Sequence, residues 1–263
     1  MFNSIVRKTI YEKRWSLAIW YVGLFATTVL IMLLFPTLRD TFGKALNDVP
    51  ESIRGILGDA STYQRIEGFI DIQVMAQMVF MTIIYGIILL TGVLAGDENE
   101  GTLQTLLAHP VSRTRVYVEK FIGASILVFI ATSSVFTGSW LGAAVVGESI
   151  DLVRLGLATG MLFLVTMAFS AIGFALGAIT GKRGIAGAAA GSIAFISYLI
   201  TNLAPSVSAL QTVNKFSPYE YFNKPSILDN GVQAGDVMIL LGITVACVIA
   251  GYVAFVRRDI PQK

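Results

Sequence analysis

The residues whose types and spacing could do chemistry gather in one polar stretch, GDENEGTLQTLLAHPVSRTRVYVEK, from Gly96 to Lys120. It opens on three carboxylates, Asp97, Glu98 and Glu100, holds the chain's only histidine, His109, and closes on Arg113, Arg115 and Lys120. A hydrolytic centre would need a base beside its nucleophile, or a set of metal ligands. His109 precedes Pro110 and has no cysteine or second histidine to complete such a set, so it reads as a solvated loop residue. A second stretch, GAITGKRG from Gly177 to Gly184, has the look of a phosphate-binding loop but fails as one. That loop needs four residues between its first glycine and the Gly-Lys pair, then Ser or Thr for magnesium, whereas here three intervene and Arg183 follows. No catalytic, metal or cofactor residues are expected in this chain, and ATP energy would have to come from another polypeptide.

What must position these polar stretches is a membrane. Of 263 residues, 55% are hydrophobic and 14% charged, against about 25% charged in soluble domains. Apolar blocks recur without a polar stretch long enough to fold separately, so one membrane domain is expected over 1–263. A crossing of about 30 Å of hydrocarbon takes roughly 20 apolar residues in a helix that satisfies its own backbone. Six segments qualify: Trp15–Phe35, Val74–Ala95, Phe121–Val146, Leu155–Ile179, Ile185–Leu203 and Val237–Val256, all free of Asp, Glu, Lys, Arg and His. The fold class expected is all-α integral membrane, with six spans. The first apolar run lacks a small-residue cleavage site and should be retained. A net charge of +2, with basic residues scattered over short loops, excludes nucleic acid as a partner. The lone Cys247 allows no intrachain disulfide.

Lysine and arginine favour the cytoplasmic side of short loops. With the N-terminus inside, Arg7, Lys8, Lys13, Arg14, Arg113, Arg115, Lys120, Lys182, Arg183, Arg257, Arg258 and Lys263 face the cytoplasm. The reading is therefore a multi-pass protein of the cell membrane with both termini cytoplasmic, an external loop at 204–236 and a cytoplasmic loop at 96–120. Small residues four apart let membrane helices approach closely. Gly138 with Gly142, Gly156 with Gly160, Gly173 with Gly177 and Gly181, and Gly187 with Gly191 predict tight packing among spans three to five. Thr132, Ser133, Ser134 and Thr137 in span three, with Ser197, Thr201 and Asn202 in span five, are candidates to line a polar path, or else return hydrogen bonds to their own helices.

Within the cytoplasmic loop, the three carboxylates precede a predicted short helix, Thr102–Ala108, where negative charge complements the N-terminal dipole. Leu103, Leu106 and Leu107 give it an apolar face, Pro110 ends it, and Val111–Lys120 returns to the membrane as an amphipathic stretch. The physical alternative is a helix lying on the lipid surface, held by Arg113, Arg115 and Lys120.

The combination of Glu98, Glu100, Gly101, Thr102, Leu103, Leu106, Leu107, Pro110, Val111, Ser112, Arg113 and Lys120 closely resembles the type 2 (ABC-2) permease subunits of ATP-binding-cassette transporters. The resemblance implies that the loop is a coupling helix, docking in a groove of a separate cytosolic ATPase and passing its closure to the spans. It also implies that residues 1–14, with Ile5, Ile10 and Trp15 apolar among charges, form an interfacial amphipathic helix. External pieces at Thr37–Leu46 and Pro50–Leu57, and the aromatic segment FSPYEYFNKPSIL from Phe216 to Leu228, fit the same family. An aromatic belt at the headgroup level accounts equally well for that last segment. Gln104 and His109 depart from the family's usual residues.

The function implied is a permease subunit, an exporter driven by ATP and magnesium held in two copies of a partner ATPase, with a second permease, identical or related, and membrane lipid around it. Two other readings stay open. One is a membrane scaffold or immunity protein that moves nothing. The other is an ion-coupled secondary transporter using polar groups such as Gln73, Gln77 and Asn202. No span residue selects a substrate.

Overall fold

A computed structural model of the chain describes residues 4–48, 64–107, 111–222 and 227–258. His109, Pro110 and the piece Pro50–Leu57 lie outside these. Among the described residues every regular element is helical. In chain order they are α1 (Ile5–Leu33), α2 (Phe35–Asp48), α3 (Ile66–Asn99), α4 (Thr102–Leu107), α5 (Arg113–Val145), α6 (Leu152–Thr180), α7 (Arg183–Leu203), α8 (Ser208–Asn214), α9 (Ile227–Asn230) and α10 (Ala234–Arg257). Six of these, α1, α3, α5, α6, α7 and α10, are long and apolar enough to cross a bilayer, α1 continuing into the start of α2. The all-helical, six-span expectation holds.

The helices outrun the apolar windows at their ends because hydropathy stops at the first charges while backbone hydrogen bonding does not. Helix α3 starts at Ile66, ahead of the expected Val74, and α5 begins at Arg113 although its apolar run begins at Phe121. Residues 5–14 are helical but run without a break into the first span.

Helices α3 and α6 are largely enclosed, and α1, α7 and α10 expose much of their surface. Helix α6 is the hub, flanked by α3, α7 and α10, while α1 lies along α5. Large apolar side chains such as Trp15, Ile19, Leu30, Met238 and Ile249 stand exposed on the outer helices. That would be untenable in water and is what contact with lipid tails requires.

The glycine expectation is corrected in part. Gly138 and Gly142 face span one, not four and five: a Cβ on Gly138 would lie 2.9 Å from Thr28, and one on Gly142 would overlap Met32. Gly173 and Gly177 do bring neighbours close, Gly173 against Thr91 and Ala190 and Gly177 against Ala95 and Ala186, on spans two and five. Gly160 and Gly191 face open space. Spacing shows that a helix has a small-residue stripe, but not which neighbour covers it.

Both described ends of the chain and the 96–112 loop share one face of the bundle, termed the loop face. The N-terminus of α1 is closed there by Glu119 of α5, which accepts from the amides of Ile5 (2.7 Å) and Val6 (3.3 Å) and from the Ser4 hydroxyl (3.0 Å). The opposite, far face holds the ion pairs Arg39–Glu148 and Arg65–Asp229, each at 2.7 Å. There Asp151 caps α6 by accepting from the amides of Val153 and Arg154.

Candidate functional site

The 96–112 loop begins as a continuation of span two. Near the end of α3 the segment Gly92–Gly96 is π-helical, and the wider turn leaves the Val93 carbonyl to accept from Lys120 Nζ at 2.7 Å. Gly101 then turns the chain at φ +78°, a left-handed conformation that suits glycine, and α4 follows. The Thr102 hydroxyl donates back to the Asp97 carbonyl at 3.0 Å, which closes this turn.

The carboxylates divide by task. Asp97 pairs with Lys120, which is 3% exposed, and Glu98 pairs with Arg258 at the end of span six. Both pairs hold the loop against the bundle, which corrects the expectation that these two charges serve the short helix's dipole. Only Glu100 stands exposed in solvent. Lys120 likewise turns inward and not towards the lipid surface. A buried ammonium is tolerated because it meets a carboxylate and a carbonyl together.

Further ties complete a clamp. Arg113 donates to the carbonyls of Arg258 (2.6 Å) and Val256 (3.3 Å), and Arg258 donates to the Ile179 carbonyl at 3.4 Å. In the orientation that satisfies its hydrogen bonds, the Asn99 amide donates to the carbonyls of Gly181 (2.7 Å) and Ala95 (3.1 Å). Gly181, at φ +64°, ends α6 so tightly under this cluster that a Cβ there would meet both Arg258 and Glu98 within 2.6 Å. Ser112 caps α5 by accepting from the Arg115 amide at 3.2 Å. Glu119 stands ahead of the apolar run that begins at Phe121. The Arg115 guanidinium at 2.6 Å holds its carboxyl below the usual carboxylate range, helped by Ser4 and the amides of Ile5 and Val6.

The apolar residues of the loop also split. Leu103 is fully buried, while Leu106 and Val111 pack against the core from its edge. Thr102, Thr105, Glu100 and Ser112 face outward. The loop thus presents a small polar surface whose inner side is bonded to the ends of spans two, three, four and six. While these bonds are intact, displacing the loop would pull on those helix ends.

The sequence of this chain, compared with known families, matches the model described as "ABC-2 family transporter protein" over residues 3–260. The chain belongs to the ABC-2 transporter family. Among curated proteins it is similar to a probable ABC transporter permease protein, NosY, of Stutzerimonas stutzeri, with 26% identity over 144 residues, covering 53% of this chain and 52% of that one. The chain therefore spans about half the length of the curated relative it matches.

For an ABC-2 family member, the sequence-predicted residues do not gather at one place. Glu98, Glu100, Gly101, Thr102, Leu103, Leu106, Val111, Ser112 and Arg113 come together in the clamped loop, whereas Pro110 lies outside the described residues. The candidates for a polar path are dispersed. Thr132, Ser133 and Thr137 each donate to carbonyls of their own helix, and Thr137 also meets Tyr21 of span one at 3.3 Å. Asn202 donates to the Tyr198 carbonyl one turn back. Ser197 and Thr201 belong to a separate buried cluster with Asn214 and Ser217 near the far face. Arg258, Asn99 and Gly181 are clamp members that the sequence reading did not assign to the loop. Their partners are 79 to 160 positions distant for Arg258, so no local pattern announces them.

Proposed function

We propose that this ABC-2 family chain is the permease subunit of an ATP-driven exporter, whose 96–112 loop docks on a cytosolic ATPase. Two permeases, identical or related, would work with two ATPase copies that hold ATP and magnesium, with the loop face on the cytoplasmic side. The observation that carries the reading is the clamp: an outward polar surface at Glu100, Thr102, Thr105 and Ser112, rigidly tied through Asp97–Lys120, Glu98–Arg258 and Arg113 to four span ends. On ATP binding the ATPase pair would close and draw the loop with it. The ends of α5, α6 and α10 would follow, and the bundle would exchange access from one face to the other. Binding of nucleotide shifts this balance only through its different affinity for the two states.

The test is purification of the tagged chain in mild detergent with mass spectrometry of its companions. An ATP-binding-cassette ATPase in stoichiometric amount, lost on Glu100→Lys with Thr105→Glu, is the expected result. Those two side chains are exposed, so the substitution leaves the fold intact. A chain that comes alone, or with a partner that binds no nucleotide, overturns the reading.

A further inference from the structure

On the far face, a cavity of about 260 Å³ opens beside the end of span five, lined by Thr201, Ala204, Pro205, Gln211, Asn214 and Glu220. It is separate from the loop. Its floor is a fixed hydrogen-bond chain. Thr201, 5% exposed, donates to Asn214 Oδ1 at 2.7 Å and meets the Ser217 hydroxyl at 3.2 Å. That bond sets the orientation of the Asn214 amide, whose Nδ2 donates to one oxygen of the Glu220 carboxylate. Ser217 is held in turn by the Ser197 carbonyl at 3.4 Å and accepts from the Tyr219 amide at 3.2 Å.

Glu220 is thereby aimed and only partly satisfied. An ionised carboxylate has about four acceptor positions, and this one has a single donor and no cationic side chain paired with it among the described residues. Lys215, close in sequence, is exposed and makes no ion pair with it. The other far-face carboxylates Glu148 and Asp229 each have an arginine. Glu220 differs from them in facing a cavity.

We infer that this cavity binds a primary ammonium group, with Glu220 as its counter-ion and Gln211 and Thr201 as further acceptors. The alternatives are weaker on chemical grounds. Calcium needs six to eight oxygens, usually from several carboxylates, and among the described residues the cavity has one carboxylate. A quaternary ammonium is held by aromatic faces, and among the described residues no aromatic side chain lines the cavity. A guanidinium docks best as a fork on both carboxylate oxygens, and the Asn214 amide crowds one of them. The volume is below the roughly 300–1,000 Å³ typical of drug-sized sites, so it suits a head group with the remainder of the molecule outside. That ammonium can belong to a free solute or to an aminophospholipid headgroup of the far leaflet.

The test uses n-butylammonium chloride at low salt, with n-butanol as the neutral counterpart, on the full chain in phosphatidylcholine nanodiscs, read by saturation-transfer NMR. Saturable butylammonium binding without butanol binding is expected, weakened roughly tenfold to a hundredfold in Glu220→Gln, which keeps an acceptor for Asn214. Gln211→Lys, at an exposed position, places an ammonium of the protein's own beside Glu220 and should abolish binding without disturbing the fold. Equal binding in wild type and both variants, or equal signals for butylammonium and butanol, overturns the inference. Replacing half the lipid with phosphatidylethanolamine then separates the sources. Weaker butylammonium binding assigns the site to the lipid headgroup, and unchanged binding assigns it to a solute amine.

Discussion

Replacing Arg258 by Gln should release the loop from span six without unfolding the bundle. The Arg258 and Glu98 side chains are 21% and 12% exposed, so their pair lies between an exposed one, worth about 0–1 kcal/mol, and a fully buried one, whose disruption costs about 3–5 kcal/mol. A value near 2 kcal/mol follows, with the loss of the bond to the Ile179 carbonyl included. At about 1.4 kcal/mol per tenfold, local opening of the loop becomes roughly 30-fold more frequent. Hydrogen exchange on the purified chain reads this directly. Amides from Glu98 to Leu107 should lose protection by about that factor, while the centres of α3 and α6 keep theirs. The charge exchange Glu98→Arg with Arg258→Glu should recover much of the protection, since the pair is reformed in reverse. Unchanged exchange in Arg258→Gln, or uniform loss across all helices, would refute the argument that this contact acts locally as a clamp.

Three more outcomes are expected. Lys120→Met leaves Asp97 partly buried without its cation and should cost about 3 kcal/mol in a reversible detergent unfolding titration. Combining it with Asp97→Leu should return more than half of that, because an apolar pair replaces a charged one. Gly142→Ala would press a methyl group into Met32 and should destabilise the α1–α5 contact by about 1–3 kcal/mol, whereas Gly160→Ala, facing open space, should be neutral or slightly stabilising in the same titration. Because the Glu119 carboxyl is held below its ordinary value, its contribution is present above the unfolded carboxylate's pKa and fades as pH falls through the lower folded value. Glu119→Gln should therefore be less stable than wild type near neutral pH and approach it in acid, and a parallel offset at all pH values would count against the capping role.

The spans were legible because hydrocarbon imposes its requirement residue by residue: twenty apolar side chains in series leave little alternative to a helix. The polar helix ends were less so. Ile66–Gln73 and Arg113–Lys120 are helical but carry charges, and in hydropathy they look like loop. The loop's importance was visible in its residue types, yet the sense of its charges was not. Asp97 and Glu98 look like helix-dipole partners until Lys120 and Arg258 arrive from 23 and 160 positions away. Thr201 and Asn214 illustrate the same limit at the far face. Thr201 was singled out for its hydroxyl, whereas Asn214 and Glu220, which give that hydroxyl a purpose, drew no attention.

These two clusters stand at opposite ends of the same bundle, and their construction differs in a way that bears on mechanism. At the loop face Asp97, Glu98, Lys120 and Arg258 are matched, so force applied there would be transmitted through closed ion pairs and the Arg113 bonds to the ends of spans two, three, four and six. At the far face Arg39, Arg65 and Arg154 are matched to carboxylates or carbonyls, but Glu220 retains acceptor capacity towards a cavity at the end of span five. Span five meets α6 through small residues, Gly173 and Gly177 receiving Ala190 and Ala186 without a polar bond, and meets the end of α3 where the Arg183 side chain lies over Gly92 and Gly96. A dispersion contact between small residues resists sliding far less than an ion pair resists separation. Movement of the clamped helix ends would therefore reach α7 as a shift along this smooth seam. The far-face cavity, whose wall includes the end of α7, is the place where that shift would change shape and affinity together.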